Sequence, residues 1–480
     1  MFGIVIIYFH INLDSGVIYI TEIESIDDAK LTKRHFSWTF IASLGDFLDA
    51  GMFAGTGITL GAITALLDFN TLEIGLPALI TLLGTAFGAI SFGRLGDKFG
   101  RKYIYQVDMI IYAVAAILLA TTGLLIPGRS FNIVWAMIFY ALIGIAVGAD
   151  VPTSWSLISE FAPKKSRGKL FSITNVMWYV AVLIELGIAI ALVNAGMVLF
   201  RTLWLILGIV AIIAWFLRRH ISESPRYEIM KGNNKNIEKT MNSLGITPKK
   251  DQRGKKYKKY TYKELFTKYS GVLLFSWFLY LIWGIPASTY GEFFPYIFNS
   301  LHIVSTTTTY SFEAIYFASA IIPGLLIFYL LSDKIRVGRV PLYLTSAAMC
   351  MISFYLLVYP PFLHNVGVLL VSFLLFGIGQ GLGVWPITRL LSIEHFPTSI
   401  RDSGQGFIWF TMRFEAAIFG LFTPLIIASG KHIEYLGWIA GTFFLAALIV
   451  VGVLAKVRPD LVKTESKSID ETSIDNPVEY

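Results

Sequence analysis

The sequence predicts an all-α polytopic membrane protein, with twelve transmembrane helices arranged as two pseudo-symmetric six-helix bundles. Three observations predict it. The chain of 480 residues is 55% hydrophobic and 15% charged, whereas soluble domains carry about 25% charged residues. Its apolar runs reach the length of about 20 residues that crosses ~30 Å of hydrocarbon. Two charged motifs also occur twice at nearly one spacing. Gly93-Arg94-Leu95-Gly96-Asp97-Lys98-Phe99-Gly100-Arg101-Lys102 returns as Leu331-Ser332-Asp333-Lys334-Ile335-Arg336-Val337-Gly338-Arg339, an offset of 236 between the acids (333 − 97). Ser159-Glu160-Phe161-Ala162-Pro163-Lys164-Lys165-Ser166-Arg167-Gly168 returns as Ile393-Glu394-His395-Phe396-Pro397-Thr398-Ser399-Ile400-Arg401-Asp402, an offset of 234 (394 − 160). Two independent motifs at nearly one offset imply a duplicated membrane unit.

Residues 1–36 read as an N-terminal extension. Met1–Ile20 is broken by His10, Asn12 and Asp14, and its clean run Ile4–Phe9 is too short to span. It also lacks the basic flank that precedes a signal sequence. Lys30, Lys33 and Arg34 then precede the first span and place the N-terminus in the cytoplasm. The first bundle, 37–217, holds spans at about 37–66, 76–95, 103–125, 131–158, 170–193 and 197–217. The second, 270–455, holds spans at about 270–298, 310–331, 340–361, 366–392, 403–429 and 434–455. Outer turns such as Leu67–Gly75 are short and nearly free of lysine, while inner loops carry the bases. Between the bundles, 218–269 is a basic cytoplasmic linker with a cluster from Lys249 to Lys259, expected to form short helices and a flexible tether. The polar, acidic tail 456–480 is expected to be disordered and cytoplasmic.

The single cysteine, Cys350, excludes an internal disulfide framework and a cysteine metal cluster, and no cofactor is expected. The net charge of +7 sits in loops beside the spans, which argues for topology and anionic lipid contact and against nucleic acid. No nucleophile–base set or metal site stands out, which disfavours an enzyme.

Ionisable residues inside spans cost about 2.5–3.5 kcal/mol each on insertion scales, so they are functional candidates. Asp46 and Asp49 fall mid-span at i,i+3 on one face, the arrangement of a proton carrier. Asp150, beside Pro152, is a proton or substrate residue, or a structural acid paired with a base near the inner mouth. Glu185 is a second proton site or a structural hydrogen bond. Arg413 is too deep to snorkel; its partner is an acid such as Asp46 or Asp49, or an anionic substrate. Arg389, five residues from Glu394, is expected to snorkel or join the inner charges. All seven histidines fall outside the span interiors, so carboxylates must carry any proton. Trp178, Tyr280, Trp283 and Gln380 are expected to line a substrate site, with Tyr179, Trp277, Tyr290 and Trp409 as further aromatic candidates. Gly377, Gly379, Gly381 and Gly383 suggest a flexible or closely packed tenth span, and Gly284 with Pro286 is expected to break the seventh.

From about Ser37 to Lys456, the twelve spans and the paired motifs resemble the major facilitator superfamily. Glu160–Gly168, Glu394–Arg401 and Glu223-Ser224-Pro225-Arg226 resemble its branch of sugar porters and metabolite:proton symporters. The resemblance implies two bundles around a central cavity that rock to give alternating access. It also implies that Asp97, Arg101, Glu160 and Arg167 form a cytoplasmic charge network latching the outward-facing state, with Asp333, Arg339, Glu394 and Arg401 as the counterpart in the second half. Sugar porters usually carry glutamines in the fifth and seventh spans; Phe171–Leu192 and Trp277–Ser288 have none. Gly148-Ala149-Asp150-Val151-Pro152 is similar to the fourth-span signature of phosphate:proton symporters. Asp46-Phe47-Leu48-Asp49 resembles the paired first-span acids of phosphate and aromatic-acid symporters, with Phe47 and Leu48 in place of their glycine and aromatic. The resulting expectation is a monomeric, multi-pass plasma-membrane transporter. It would couple protons to a small anionic metabolite, phosphate or an organic carboxylate. A sugar or polyol porter and a transporter-like nutrient sensor are the alternatives.

Overall fold

A computed structural model describes residues 26–231, 234–246, 256–257, 259–300, 305–335, 338–363, 365–428, 433–473 and 478–479. The reading of Met1–Ile20 and most of the lysine cluster at 249–259 lie outside the described residues. The first six long helices are α1 (Lys33–Leu67), α2 (Leu76–Phe99), α3 (Arg101–Ala120), α4 (Arg129–Phe161), α5 (Arg167–Ala191) and α6 (Met197–Arg218). Short helices α7 (Pro225–Lys231), α8 (Asn234–Leu244) and α9 (Tyr262–Thr267) occupy the linker. The second set is α10 (Ser270–Ser300), α11 (Thr306–Leu331), α12 (Arg339–Leu356), α13 (Val366–Glu394), α14 (Arg401–Ala428) and α15 (Ile433–Val457). Eleven of the twelve long helices are apolar enough to cross a membrane on hydropathy. The twelfth, α14, carries Arg413 and Glu415 mid-helix.

Local chemistry sets the helix ends. Thr32 caps α1, with its backbone N–H on His35 Nδ1 at 3.2 Å and its hydroxyl 2.8 Å from the same nitrogen. Gly100, at φ +104°, turns α2 into α3, a conformation that strains residues with a Cβ. The expected break at Gly284–Pro286 is absent, since α10 runs through both residues. Wide π-helical turns appear instead at Pro323–Phe328 of α11 and Gln380–Val384 of α13, and these two segments pack on each other. Proline removes an N–H from the ladder and crowds the preceding turn, which the wider register relieves at Pro323.

The two halves meet chiefly through α2 against α14 and α5 against α11. Contact at the first seam is backbone to backbone. A Cβ on Gly406 would lie 2.3 Å from the Ala89 carbonyl oxygen, so only glycine fits there.

Among the described residues, 456–473 of the tail are packed on the bundle, where disorder was expected. Pro459–Leu461 and Ile469–Thr472 form short helical turns, and Thr464, Ser468 and Thr472 are buried. Polarity misled the sequence reading, because Thr464 and Thr472 find hydrogen-bond partners in the bundle. The Thr464 hydroxyl lies 2.6 Å from Arg339, and Thr472 donates to the Glu394 carbonyl at 2.6 Å. Tail residues Val478–Glu479 also pair antiparallel with Lys256–Tyr257 of the linker.

Candidate functional site

One end of the bundle is closed by two charge clusters, each drawing on both halves. In the first, Arg101 reaches Asp97 at 3.1 Å and Glu160 at 3.1 Å, and Arg401 reaches Glu160 at 2.6 Å. In the second, Arg167 reaches Glu394 at 2.8 Å, Arg339 pairs with Glu394, and Arg339 lies 3.4 Å from Asp333. The aspartates cap helices of the opposite half. Asp97 accepts from the backbone N–H groups of Asp402 and Ser403, at 3.3 and 2.8 Å. Asp333 accepts from those of Gly168 and Lys169, both at 3.1 Å. A carboxylate at a helix N-terminus satisfies orphan donors and meets the positive end of the dipole. All eight residues of the expected gating network therefore come together. The sequence reading quoted Asp402 in the repeated motif but gave it no place in the network; its carboxylate stands 3.5 Å from Arg101. Glu223, read from sequence as part of a family motif and not as part of the network, accepts from the N–H groups of Arg101 and Lys102 at 3.2 and 3.1 Å. Burial raises the Glu223 carboxyl above the usual range despite those donors.

Deeper in the membrane, two ion pairs join the halves. Asp46 accepts from Arg389 at 2.8 Å and from the Trp155 indole at 3.0 Å. Arg389 also donates to Thr174 at 2.8 Å, and its guanidinium lies 3.6 Å from the centre of the Trp155 ring. Arg389 is thus neither snorkelling nor part of the gating clusters; at 1% exposure it is a central cation. Its proximity to Glu394 in sequence suggested otherwise, but the π-helical turn of α13 precedes it and helical phase turns it inward. Asp49 accepts from Arg413 at 2.6 Å and from the Trp178 indole at 2.9 Å. Asp46 and Asp49 share a helix face, yet each has its own arginine and its own tryptophan.

Asp49, Phe53, Trp178, Trp283, Gln380 and Arg413 line a central cavity of about 20 Å³, together with Tyr316, Phe317 and Trp385. That is room for roughly one water. Trp283 stacks on Trp385 with ring centres 3.6 Å apart. Gln380 accepts from the Tyr179 hydroxyl at 3.4 Å. The cavity thus gathers Arg413, Trp178, Trp283 and Gln380 from the expected substrate set.

Three candidates lie elsewhere. Tyr280 shares a hydrogen bond with Ser392 at 3.1 Å and packs edge-on against Trp385, behind the cavity wall. Asp150 is bound by Arg218 at 2.6 and 3.1 Å, with Asp108 3.5 Å from the same guanidinium and the Tyr105 ring beneath it. Of the two readings of Asp150, the structure supplies the paired base; Arg218 had been placed in the linker. Glu185 faces Gly51 and Gly55 of α1, and neither of its carboxylate oxygens has a hydrogen bond among the described residues. Tyr290 lies outside the described side chains.

The family model for the Sugar (and other) transporter family matches residues 23–473. The chain belongs to that family. This transporter is 28% identical to the minor myo-inositol transporter IolF of Bacillus subtilis, over 84% of its own length and 86% of the relative's. It is 24% identical to the niacin transporter NiaP of Acinetobacter baylyi, over 89% and 96%. Its fold matches that of the proton:xylose symporter XylE of E. coli with a TM-score of 0.70 and 19% identity, over 92% of this chain and 99% of that one. The transporter therefore has the major facilitator fold, a multi-pass membrane architecture with transport rather than catalysis as its business. It moves small molecules of the sugar and metabolite class. Charged pairs join its halves from the Glu160–Arg401 cluster as deep as Asp49–Arg413.

Proposed function

We propose that this transporter is a proton-coupled symporter of a small, neutral, polyhydroxylated metabolite, working by alternating access in the plasma membrane with both termini in the cytoplasm. The observation that carries the reading is the Asp49–Arg413 pair at the wall of an aromatic cavity. Its charges cancel, which suits a neutral guest better than an anion. Trp178, Trp283 and Trp385 offer flat apolar faces for a ring, while Gln380 and Asp49 offer hydrogen bonds to hydroxyls. The named substrates of two relatives, myo-inositol and xylose, support the same class.

The pair also provides the coupling. A proton on Asp49 removes its attraction for Arg413 and loosens a tie between the halves, so that the loaded carrier can rock. A membrane potential of 100 mV adds about 2.3 kcal/mol per proton moved. The anionic substrate expected from sequence remains as a second reading, favoured by one feature. Protonation of Asp49 frees the Arg413 guanidinium to take a carboxylate or phosphate, and a relative carries niacin.

Reconstituted protein in liposomes tests both readings. Uptake of myo-inositol, D-xylose, nicotinate and phosphate is measured with and without an inside-alkaline pH gradient, beside counterflow. The expected result is gradient-driven accumulation of a polyol or sugar. In Asp49→Asn that accumulation falls relative to counterflow. Gradient-driven uptake of only nicotinate or phosphate selects the anion reading. Polyol uptake indifferent to the gradient overturns proton coupling.

A further inference from the structure

At the end opposite the gating clusters lies a second cavity of about 450 Å³, between the halves. Gly57, Ile58 and Gly61 of α1, Val193 and Leu199 of the first half, and Thr306 and Tyr310 of α11 line it. Tyr310 bridges the halves here, its hydroxyl donating to the Ile58 carbonyl at 3.5 Å. One helical turn further into the membrane along α11 stands Glu313, 1% exposed, with Oε2 lacking any hydrogen bond among the described residues. Across the α5–α11 seam stands Glu185, 3% exposed, with both oxygens unpartnered among the described residues.

Among the described residues, no counter-charge lies within reach of either acid. Glu185 faces Gly51 and Gly55 of α1 and Leu207 of α6. Tyr112 of α3 and Glu313 of α11 are the ionisable groups that interact with it. Around Glu313 the ionisable neighbours are Glu185, Tyr310 and Tyr316. Arg413 is committed to Asp49, and Arg389 to Asp46. Arg201, on the helix that carries Leu207, is displaced by about 9 Å along its axis at ~1.5 Å per residue. On α10 the Glu292 side chain lies outside the described residues. A carboxylate buried without cation or donor is too costly to keep charged, and it takes a proton instead.

We propose that Glu185 and Glu313 form a proton-binding site shared by the two halves, separate from the arginine-paired aspartates and loaded through the cavity at Tyr310. Because one acid belongs to each half, separation of α5 from α11 exposes both to that cavity and lets them ionise, and closure requires that they be neutral again. The site would carry protons beside, or in place of, Asp49. This deepens the proton-coupled reading and rests on it for its role in transport, though not for proton binding itself.

The test uses purified full-length protein and the near-isosteric variants Glu185→Gln and Glu313→Gln, each checked for monodispersity. Infrared difference spectroscopy across a pH titration reads the carbonyl stretch of neutral carboxyl groups without any substrate. The expected result is loss of part of that band in each variant. Spectra unchanged from wild type in both variants overturn the site. In liposomes, gradient-driven accumulation of myo-inositol falls relative to counterflow in both variants. Accumulation equal to wild type overturns the coupling role. Should no tested solute be transported at all, the substrate reading fails, while the infrared result still decides the site.

Discussion

Glu160 holds Arg401 at 2.6 Å although 241 positions separate them in the chain. Both side chains are fully buried, and each belongs to a different half. Removing one partner of such a pair costs about 3–5 kcal/mol, because the other charge is left buried. The cost falls on the closed clusters alone. Glu160→Gln should therefore shift the population toward the open clusters by roughly two to three and a half orders of magnitude. A cysteine placed at buried Ala162 reads this by its labelling rate, with little background from the buried Cys350. Equal rates in the variant and wild-type backgrounds would show that the pair does not hold this end shut.

Gly45 should tolerate no side chain. A Cβ there would lie 1.5 Å from Asp150 Oδ2 and 2.8 Å from Arg218. Overpacking costs about 1–3 kcal/mol, and displacing Asp150 from Arg218 adds the price of a broken buried pair. Gly45→Ala should lower yield and thermal midpoint sharply, while Gly61→Ala, with nothing within 4 Å, should match wild type.

Acid should destabilise the protein through His395. Burial lowers its basicity below the ordinary histidine value, with Nδ1 against the Leu391 carbonyl. The folded state keeps the ring neutral while the unfolded chain binds a proton. Stability is thus full above the unfolded value of about 6.5 and declines as pH falls through it. Thermal midpoints measured between pH 7.5 and 5, on the order of that range, should fall in wild type and fall less in His395→Gln. A parallel decline in both would assign the acid sensitivity to other groups.

A stop codon in place of Thr464 should weaken the second cluster. It removes the Thr464 contact with Arg339, the Glu465 carboxylate on the Arg339 N–H, the Ser466 hydroxyl on the Asp333 carbonyl and the Thr472 hydroxyl on the Glu394 carbonyl. At about 1 kcal/mol per hydrogen bond the loss is several kcal/mol. Faster tryptic cleavage at Arg339, with the first cluster unaffected, is the expected readout.

The twelve spans and their two-fold repeat were legible because hydropathy and charge patterning act locally. The residues of the two charge clusters were legible because the repeat itself displays them. Asp46, Asp49 and Arg413 stood out as charges in apolar runs, and the same signal was available for Asp108 and Glu313, which lie within predicted spans. Pairing was another matter. Which arginine meets Asp46 depends on helical phase and on how α13 winds after Gln380, and neither is encoded in spacing. The order of the tail was hidden too, since its polar side chains are satisfied by partners more than a hundred positions away.

The contacts of the two charge clusters have the form of an isologous interface. Position for position, an acid of the first unit binds a base of the second, and the same acid of the second binds the same base of the first; the capping aspartates repeat the pattern. A lone six-helix unit satisfies none of these cross contacts, whereas two identical copies related by a two-fold axis along the membrane normal satisfy all of them. The arrangement is therefore that of a homodimer whose subunits became one chain. The two halves are not identical: Asp402 faces Arg101 where the other half has Gly168, a position at which the symmetry is broken.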